Sequence, residues 1–305
     1  MDFLYVLEGL RQPWLDKLML TVTVLGEETA FLVAAILVFW CVDKKKGYYV
    51  MTAGFFGTIA NQVLKLVCQV PRPWVLDPNF TIVEAARAEA TGFSFPSGHS
   101  TSAVATFGAI GAVSTKRWQK ALFFTICVLV PFSRMYLGVH TPADVLVGSG
   151  MAVIFVLAAR PMTRNISDKQ MMTLITGLLA AAVGMLLFST FYPLEIAEDQ
   201  LSNVQSGVKN SYTLLGSIVG MLIGYPLERK FVNFETKAVW WAQILKAVLG
   251  LVLVLAVKEG LKAPLDLVFG GHMAARAVRY CCVVLFVSVL WPMTFRWFGK
   301  LGAKK

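Results

Sequence analysis

The chain has 305 residues, of which 57% are hydrophobic and only 15% charged, with a mean hydropathy of +0.65. Soluble domains carry about 25% charged and about 45–50% apolar residues. Here the apolar excess is gathered into long runs, which excludes a disordered chain, a collagen-like repeat and a secreted disulfide scaffold.

The N-terminal stretch MDFLYVLEGLRQPWLDK has no basic flank and no small-residue cleavage site, so it does not read as a secretory leader. Phe3, Leu4, Val6, Leu7 and Leu10 alternate with polar residues, the pattern of a short helix lying in the membrane interface. A membrane span needs about 20 mainly apolar residues. Nine stretches qualify, at roughly 20–42, 47–68, 99–115, 119–137, 142–160, 171–191, 211–227, 239–257 and 277–296. The expected fold is an all-α polytopic membrane helical bundle. Gly26, Glu27 and Glu28 interrupt the first span, and carboxylates at that depth must pair, be protonated or face a wet cavity.

Basic residues set the orientation. Lys44, Lys45 and Lys46 follow the first span, Lys116, Arg117 and Lys120 the third, and Arg160, Arg164 and Lys169 the fifth. Arg229, Lys230 and Lys237 precede the eighth span, and Arg296, Lys300, Lys304 and Lys305 follow the ninth. All five clusters fall on one side, which places the C-terminus in the cytosol, at the plasma (cytoplasmic) membrane, and the N-terminus outside. Topology thus absorbs most of the +10 formal charge, and nucleic acid is not needed as a partner. The longest polar connections are 69–98 and 192–210. The second carries Glu195, Glu198 and Asp199 against Lys209 and reads as a solvated outer tether. Cys41, Cys68, Cys127, Cys281 and Cys282 are odd in number, contain no CxxC and lie in or beside apolar runs, so they read as free thiols.

Three polar elements arrive at the outer ends of spans: Lys65-x6-Arg72-Pro73, Pro96-Ser97-Gly98-His99, and Ser133-Arg134-x5-His140-x3-Asp144. Lys65, Arg72 and Arg134 supply three cations, which would repel one another without an anion; the Arg fork matches phosphate oxygens, and Lys acts as a point charge. Ser97 and Gly98 stand at a helix start, where free N–H groups and the dipole favour an anion. His140 and Asp144 are one helical turn apart, and Pro142 fits the first turn. An Asp bonded to one imidazole nitrogen leaves the other as a nucleophile, with His99 to protonate the departing oxygen. Taken singly, each piece has a structural reading: Lys65 as a snorkelling residue, Asp144 as a helix-start charge. Their convergence on one face favours a phosphate site. No carboxylate cluster with magnesium-ligand spacing is present, so no metal and no cofactor is expected.

These motifs match Kx6RP, PSGH and SRx5HxxxD without a mismatch, and the chain resembles the type-2 phosphatidic acid phosphatase superfamily. That resemblance covers a helical core over about the first 190 residues. It implies an acid phosphatase-type hydrolase in which His140 is the nucleophile forming a phosphohistidine, Asp144 orients it and His99 is the general acid. It likewise implies Lys65, Arg72, Ser97, Gly98 and Arg134 as the phosphate cradle. The organisation expected is a six-helix phosphatase core over 1–191, then an outer loop and three additional spans over 192–305. The substrate class is a phosphorylated lipid (polyprenyl diphosphate, phosphatidic acid or sphingoid phosphate), met among membrane lipids at an extracytoplasmic site. A sugar-phosphate phosphatase similar to glucose-6-phosphatase, or a lipid-binding or transport protein without hydrolysis, are the alternatives.

Four further features stand out. Gly270-Gly271-His272 with Arg276 and Arg279 reads as a basic anchor for the last helix or a second headgroup contact. Glu27 and Glu28 read as paired structural carboxylates or as partners of the cationic site. Trp240, Trp241, Trp291 and Trp297 suit an interfacial belt. Asn79-Phe80-Thr81 forms a glycosylation sequon on the expected outer face.

Overall fold

The computed structural model describes residues 1–163, 166–191 and 201–301. Arg164, Glu195, Glu198, Asp199, Lys304 and Lys305 lie outside the described residues. The fold is all-helical, in chain order α1 (Asp2–Gly9), α2 (Pro13–Thr23), α3 (Glu28–Cys41), α4 (Lys44–Cys68), α5 (Pro73–Leu76), α6 (Gly98–Val113) and α7 (Arg117–Tyr136). There follow α8 (Pro142–Ala159), α9 (Asp168–Phe191), α10 (Leu201–Leu227), α11 (Trp240–Gly260), α12 (Lys262–Val268), α13 (Ala274–Leu285) and α14 (Phe295–Lys300).

Helices stand at each of the nine expected places, but not all meet the requirements of a span. Among the described residues five are long and apolar enough to cross a membrane, or up to six if α2 and α3, bent by 55°, form one broken span. The break falls at Glu27, where the two carboxylates interrupt the apolar run. At 16 residues, α6 is about 24 Å long, short of the roughly 30 Å hydrocarbon core. A second departure concerns the expected tether: residues 201–210 are the first turns of α10. Their sequence LSNVQSGVKN is too polar for a hydropathy signal but contains no helix breaker other than Gly207.

The chain divides into two compact units. The first comprises Met1–Ala34, Tyr49–Arg164 and Phe191–Gly207. At its centre lies α6, which packs against α7 and α8 and is buried without a break from Ser100 to Thr101 and from Ala103 to Gly111. Its sequence, GHSTSAVATFGAIGAV, is rich in small residues. Lipid tails supply no hydrophobic drive between helices, so close packing of small residues is what holds such a core. Around the ends of these helices Leu4, Met19, Phe80, Ile82, Tyr136 and Leu137 form a second cluster, joining α1 and α2 to the connection that precedes the PSGH segment.

The second unit comprises Ala35–Tyr48, Asn165–Thr190 and Val208–Lys305. Its centre is aromatic. Trp40 is fully buried and donates Nε1–H to the Val287 carbonyl at 2.8 Å; Trp291 and Phe295 pack against it. Trp291 is therefore a core residue, whereas Trp240, Trp241 and Trp297 are exposed as an interfacial belt requires. Buried Lys246 is satisfied by the carbonyls of Trp40 and Thr236 at 3.0 and 3.1 Å and lies over the Phe295 ring. Gly216, Gly220 and Gly224, four apart on one face of α10, meet Ala277, Cys281 and Ser288; a Cβ on Gly216 would lie 2.0 Å from the Ala277 carbonyl oxygen. This is a small-residue helix contact of the kind membranes favour. The five cysteines are free.

Candidate active site

Lys65 lies in the last turn of α4, Arg72 just before α5, Ser97 at the N-cap of α6, Arg134 in the last turn of α7, and Asp144 in the first turn of α8. All belong to the first unit, and the chain brings these helix ends together. Lys65, Arg72, Ser97, Arg134, His140 and Asp144 are all buried, with Arg134 fully so.

Asp144 Oδ2 collects three donors: the Ser94 hydroxyl at 2.6 Å, the Thr141 N–H at 2.8 Å and His140 Nδ1 at 3.3 Å. Thr141 Oγ1 returns the bond by accepting from the Asp144 N–H, a capping box with Pro142 in the first turn. The two readings of Asp144, helix-start charge and histidine partner, are one geometry.

On the other edge of the ring, Arg72 Nη1 lies 2.9 Å from His140 Nε2. A guanidinium has no acceptor, so Nε2 must hold the lone pair and Nδ1 the proton that faces Asp144. The rest of the Arg72 fork is held by backbone carbonyls, of Gly92 at 3.1 Å, Thr91 at 2.8 Å and Val139 at 3.0 Å. Lys65 Nζ donates to the neighbouring Phe93 carbonyl. The segment 91–93 thus clamps both cations, and the next residue, Ser94, donates its N–H to Val70 and its O–H to Asp144.

The PSGH turn is held as firmly. Ser97 Oγ caps α6 by accepting from the Ser100 N–H and O–H, while its own N–H donates to the Asp144 carbonyl at 2.9 Å. Buried Asn61, on α4, donates to the Pro96 carbonyl and to Thr101 Oγ1. At Gly148 α8 comes so close that a Cβ would stand 2.7 Å from the Ser97 carbonyl oxygen. Gly98 follows directly; a Cβ there would stand 3.7 Å from Asn61 Oδ1 and 4.0 Å from Lys65 Cε.

Against this network three nitrogens stand out. Arg134 spends one Nη1–H on Thr23 Oγ1 at 2.8 Å, but its Nε and Nη2, and Nε2 of His99, are buried without a partner among the described residues. A buried polar atom left unpaired costs about 1–3 kcal/mol, so the arrangement suits an oxyanion that takes the Arg134 donors beside His99. Ser94, Asn61, Gly148 and the 91–93 carbonyls belong to no sequence motif that points to the site. The capping-box pattern at Thr141 and the buried polar Asn61 within an apolar helix are the signals that could have found part of this support. His272 belongs to the second unit: it is exposed, accepts from the Ala274 N–H at 3.1 Å and meets the Tyr212 ring edge-on.

Residues 45–168, which hold every motif residue, match the PAP2 superfamily model. Residues 212–305 match the model described as PAP2 superfamily phosphatase, transmembrane extension. Phosphatidylglycerophosphatase B of Bacillus subtilis (strain 168) is 31% identical over 157 residues, 48% of this chain and 73% of that protein. An undecaprenyl-diphosphatase of Sulfolobus acidocaldarius is 29% identical over 137 residues, 44% of this chain and 64% of the relative. A probable sphingosine-1-phosphate phosphatase of Dictyostelium discoideum is 29% identical over 166 residues, 50% of this chain and 39% of the relative. No solved structure matches the chain. With one relative matched over nearly three quarters of its length and both parts of the chain recognised separately, this integral membrane protein belongs to the PAP2 superfamily of phosphatases.

Proposed function

We propose that the chain hydrolyses a phosphate or diphosphate ester of a lipid through a phosphohistidine on His140, without a metal ion. The observation that carries this is the pairing of a lone pair at His140 Nε2 with three buried nitrogens of Arg134 and His99 that have no partner among the described residues. The phosphoryl oxygens take the Arg134 donors, those of Lys65 and Arg72, and the N–H groups at the α6 start. As charge develops there, these prealigned donors stabilise it without reorganising.

In the first step the His140 Nε2 lone pair attacks the terminal phosphorus and the P–O bond to the leaving group breaks. The leaving oxygen, of the lipid alcohol from a monoester or of the lipid monophosphate from a diphosphate, takes the proton of His99. In the second, a water gives its proton to His99 and its oxygen to phosphorus, the P–N bond breaks, and inorganic phosphate departs. Asp144 stabilises the positive imidazole through Nδ1 in both steps. The relatives' names, which include a phosphatidylglycerophosphatase, undecaprenyl-diphosphatases and a sphingosine-1-phosphate phosphatase, support a lipid carrying a phosphate or diphosphate. The distribution of Lys and Arg supports an extracytoplasmic site at the plasma membrane.

The test is phosphate release by the detergent-purified protein, with a chelator present, from undecaprenyl diphosphate, phosphatidic acid, sphingosine-1-phosphate and glucose-6-phosphate. Turnover of a lipid, lost in His140→Ala, is the expected result. Strict dependence on added magnesium, or full activity in that variant, would overturn the mechanism. Turnover of glucose-6-phosphate alone would reassign the substrate.

A further inference from the structure

A cavity of about 420 Å³ lies within the second unit, bounded by the start of α4, the start of α9 and the α10–α11 connection. Its buried lining includes Tyr48, Tyr225, Phe234 and Glu228, the last with no exposed surface. Lys44 Nζ donates to Glu228 Oε1 at 2.8 Å and to Asn233 Oδ1 at 3.2 Å. Glu228 Oε2 and the Tyr48 hydroxyl are both buried without a hydrogen-bond partner among the described residues. The Phe234 face is taken by the Lys44 ammonium, 4.8 Å from the ring centroid; the two oxygens, beside the Tyr48 and Tyr225 rings, ask for a further hydrogen-bond donor, and aromatic faces favour that donor as a cation.

The rim has the opposite character. Lys45, Arg229 and Lys237 are exposed there. Arg229 is engaged by Asp168 at 3.1 Å, which also accepts from the Tyr225 hydroxyl at 2.6 Å. Glu235 and Asp43, whose Oδ1 accepts from the Lys46 N–H at 3.0 Å, are the remaining rim carboxylates. A simple anion reaching the floor would meet Glu228, and a simple cation would have to pass the lysines. A molecule with an ammonium at one end and an anionic group at the other fits both.

We propose that this cavity binds an aminoalkyl phosphate, its primary ammonium on Glu228 Oε2 and Tyr48 Oη and its phosphate against Lys45 and Lys237. The same chemistry is carried by the headgroup of an aminophospholipid and by the free compound. Exposed Phe231 and Trp240, which flank the rim residues in the chain, suit headgroup level in a bilayer and favour the lipid. The proposal does not depend on the phosphatase reading.

The test is titration of the detergent-purified full chain with dihexanoyl-phosphatidylethanolamine, its N-trimethyl counterpart and free O-phosphoethanolamine, followed by native mass spectrometry and thermal unfolding. Tyr48→Phe keeps the ring and Lys237 is exposed, so both positions can be altered in a folded protein. The expected result is one saturable site for the ethanolamine lipid, about tenfold tighter than for the trimethyl form. Binding should weaken about fivefold in Tyr48→Phe and about tenfold in Lys237→Glu, and be unchanged in Arg72→Ala. Free O-phosphoethanolamine competing at equal affinity would uphold the site and make its ligand the soluble compound. The proposal is overturned by equal affinity for the trimethyl form, by absence of a saturable site, or by binding that both pocket variants leave intact. Loss in Arg72→Ala alone would place the ligand in the phosphatase cradle and overturn it equally.

Discussion

Arg72 Nη1 sits 2.9 Å from His140 Nε2, on the ring edge opposite Asp144. A group that only donates selects the tautomer of its neighbour: Nε2 is the acceptor and Nδ1 carries the proton. The same contact covers the lone pair needed for attack, so an arriving phosphate must draw the guanidinium onto its own oxygens and uncover the nitrogen in doing so. Arg72→Lys keeps a charge but loses the fork and its carbonyl tethers, and kcat should fall about 10²-fold. With three histidines in the chain, selective ¹⁵N NMR can assign the tautomer. A resting His140 protonated on Nε2 would refute this account.

His99 differs from His140 in having no partner at Nε2 among the described residues, which leaves that nitrogen to meet the substrate. If it protonates the departing oxygen, its importance scales with how poor the leaving group is. In His99→Ala, release from an alkyl phosphate should drop by about 10³-fold, and from p-nitrophenyl phosphate by only about tenfold. The second substrate should then load His140 faster than water unloads it, so a burst of p-nitrophenol is expected. Equal losses on both substrates would remove His99 from the acid role.

Ser94 supplies the shortest of the three bonds to Asp144 Oδ2 and lies 3.4 Å from His140 Nδ1. It is a positioning residue: its hydroxyl holds the carboxylate that holds the ring. Ser94→Ala should lower kcat about tenfold with KM nearly unchanged, since a lost bond to a charged group is worth about 1.5–3 kcal/mol. A double-mutant cycle gives the discriminating readout. Ser94→Ala added to Asp144→Ala should cost almost nothing further, because both act through one contact. Additive losses would show that Ser94 acts elsewhere.

Much of this site is legible in the amino-acid sequence, because Lys, Arg, His and Asp at the ends of apolar helices are conspicuous and few. Its support is not. The clamp on Arg72 and Lys65 is made of carbonyls at 91–93, and a carbonyl has no letter in the sequence. Ser94 is one serine in a polar connection, and its value depends on Asp144, 50 residues later. The helices are readable by hydropathy where they are lipid-facing, and less so at residues 201–210, whose polar sequence hides a helix. Trp291 looks interfacial by position, yet it packs in the second unit's core among Trp40, Phe295 and Phe298. Residue type and position along a span do not separate a wet end from a buried one.

Gly148 and Gly150 make the final test, because they sit two residues apart on α8 in opposite circumstances. A Cβ at Gly148 would lie 2.7 Å from the Ser97 carbonyl oxygen and 2.9 Å from Thr101 Oγ1, whereas one at Gly150 meets nothing within 4 Å. The Gly148 contact is to backbone, which has no rotamer to yield, so the α6 start must move away from α8. Overpacking of this kind costs about 1–3 kcal/mol, and the displacement falls on the turn that carries Ser97, Gly98 and His99. Gly148→Ala should therefore lower kcat by about 10²-fold or more, since a shift near 1 Å at reacting groups has that effect. Gly150→Ala should leave activity within twofold and raise stability by about 0.5–1 kcal/mol through helix propensity. Melting curves and phosphate release on the two variants side by side check both expectations. Similar behaviour of the pair would show that the PSGH turn is not held by its contact with α8.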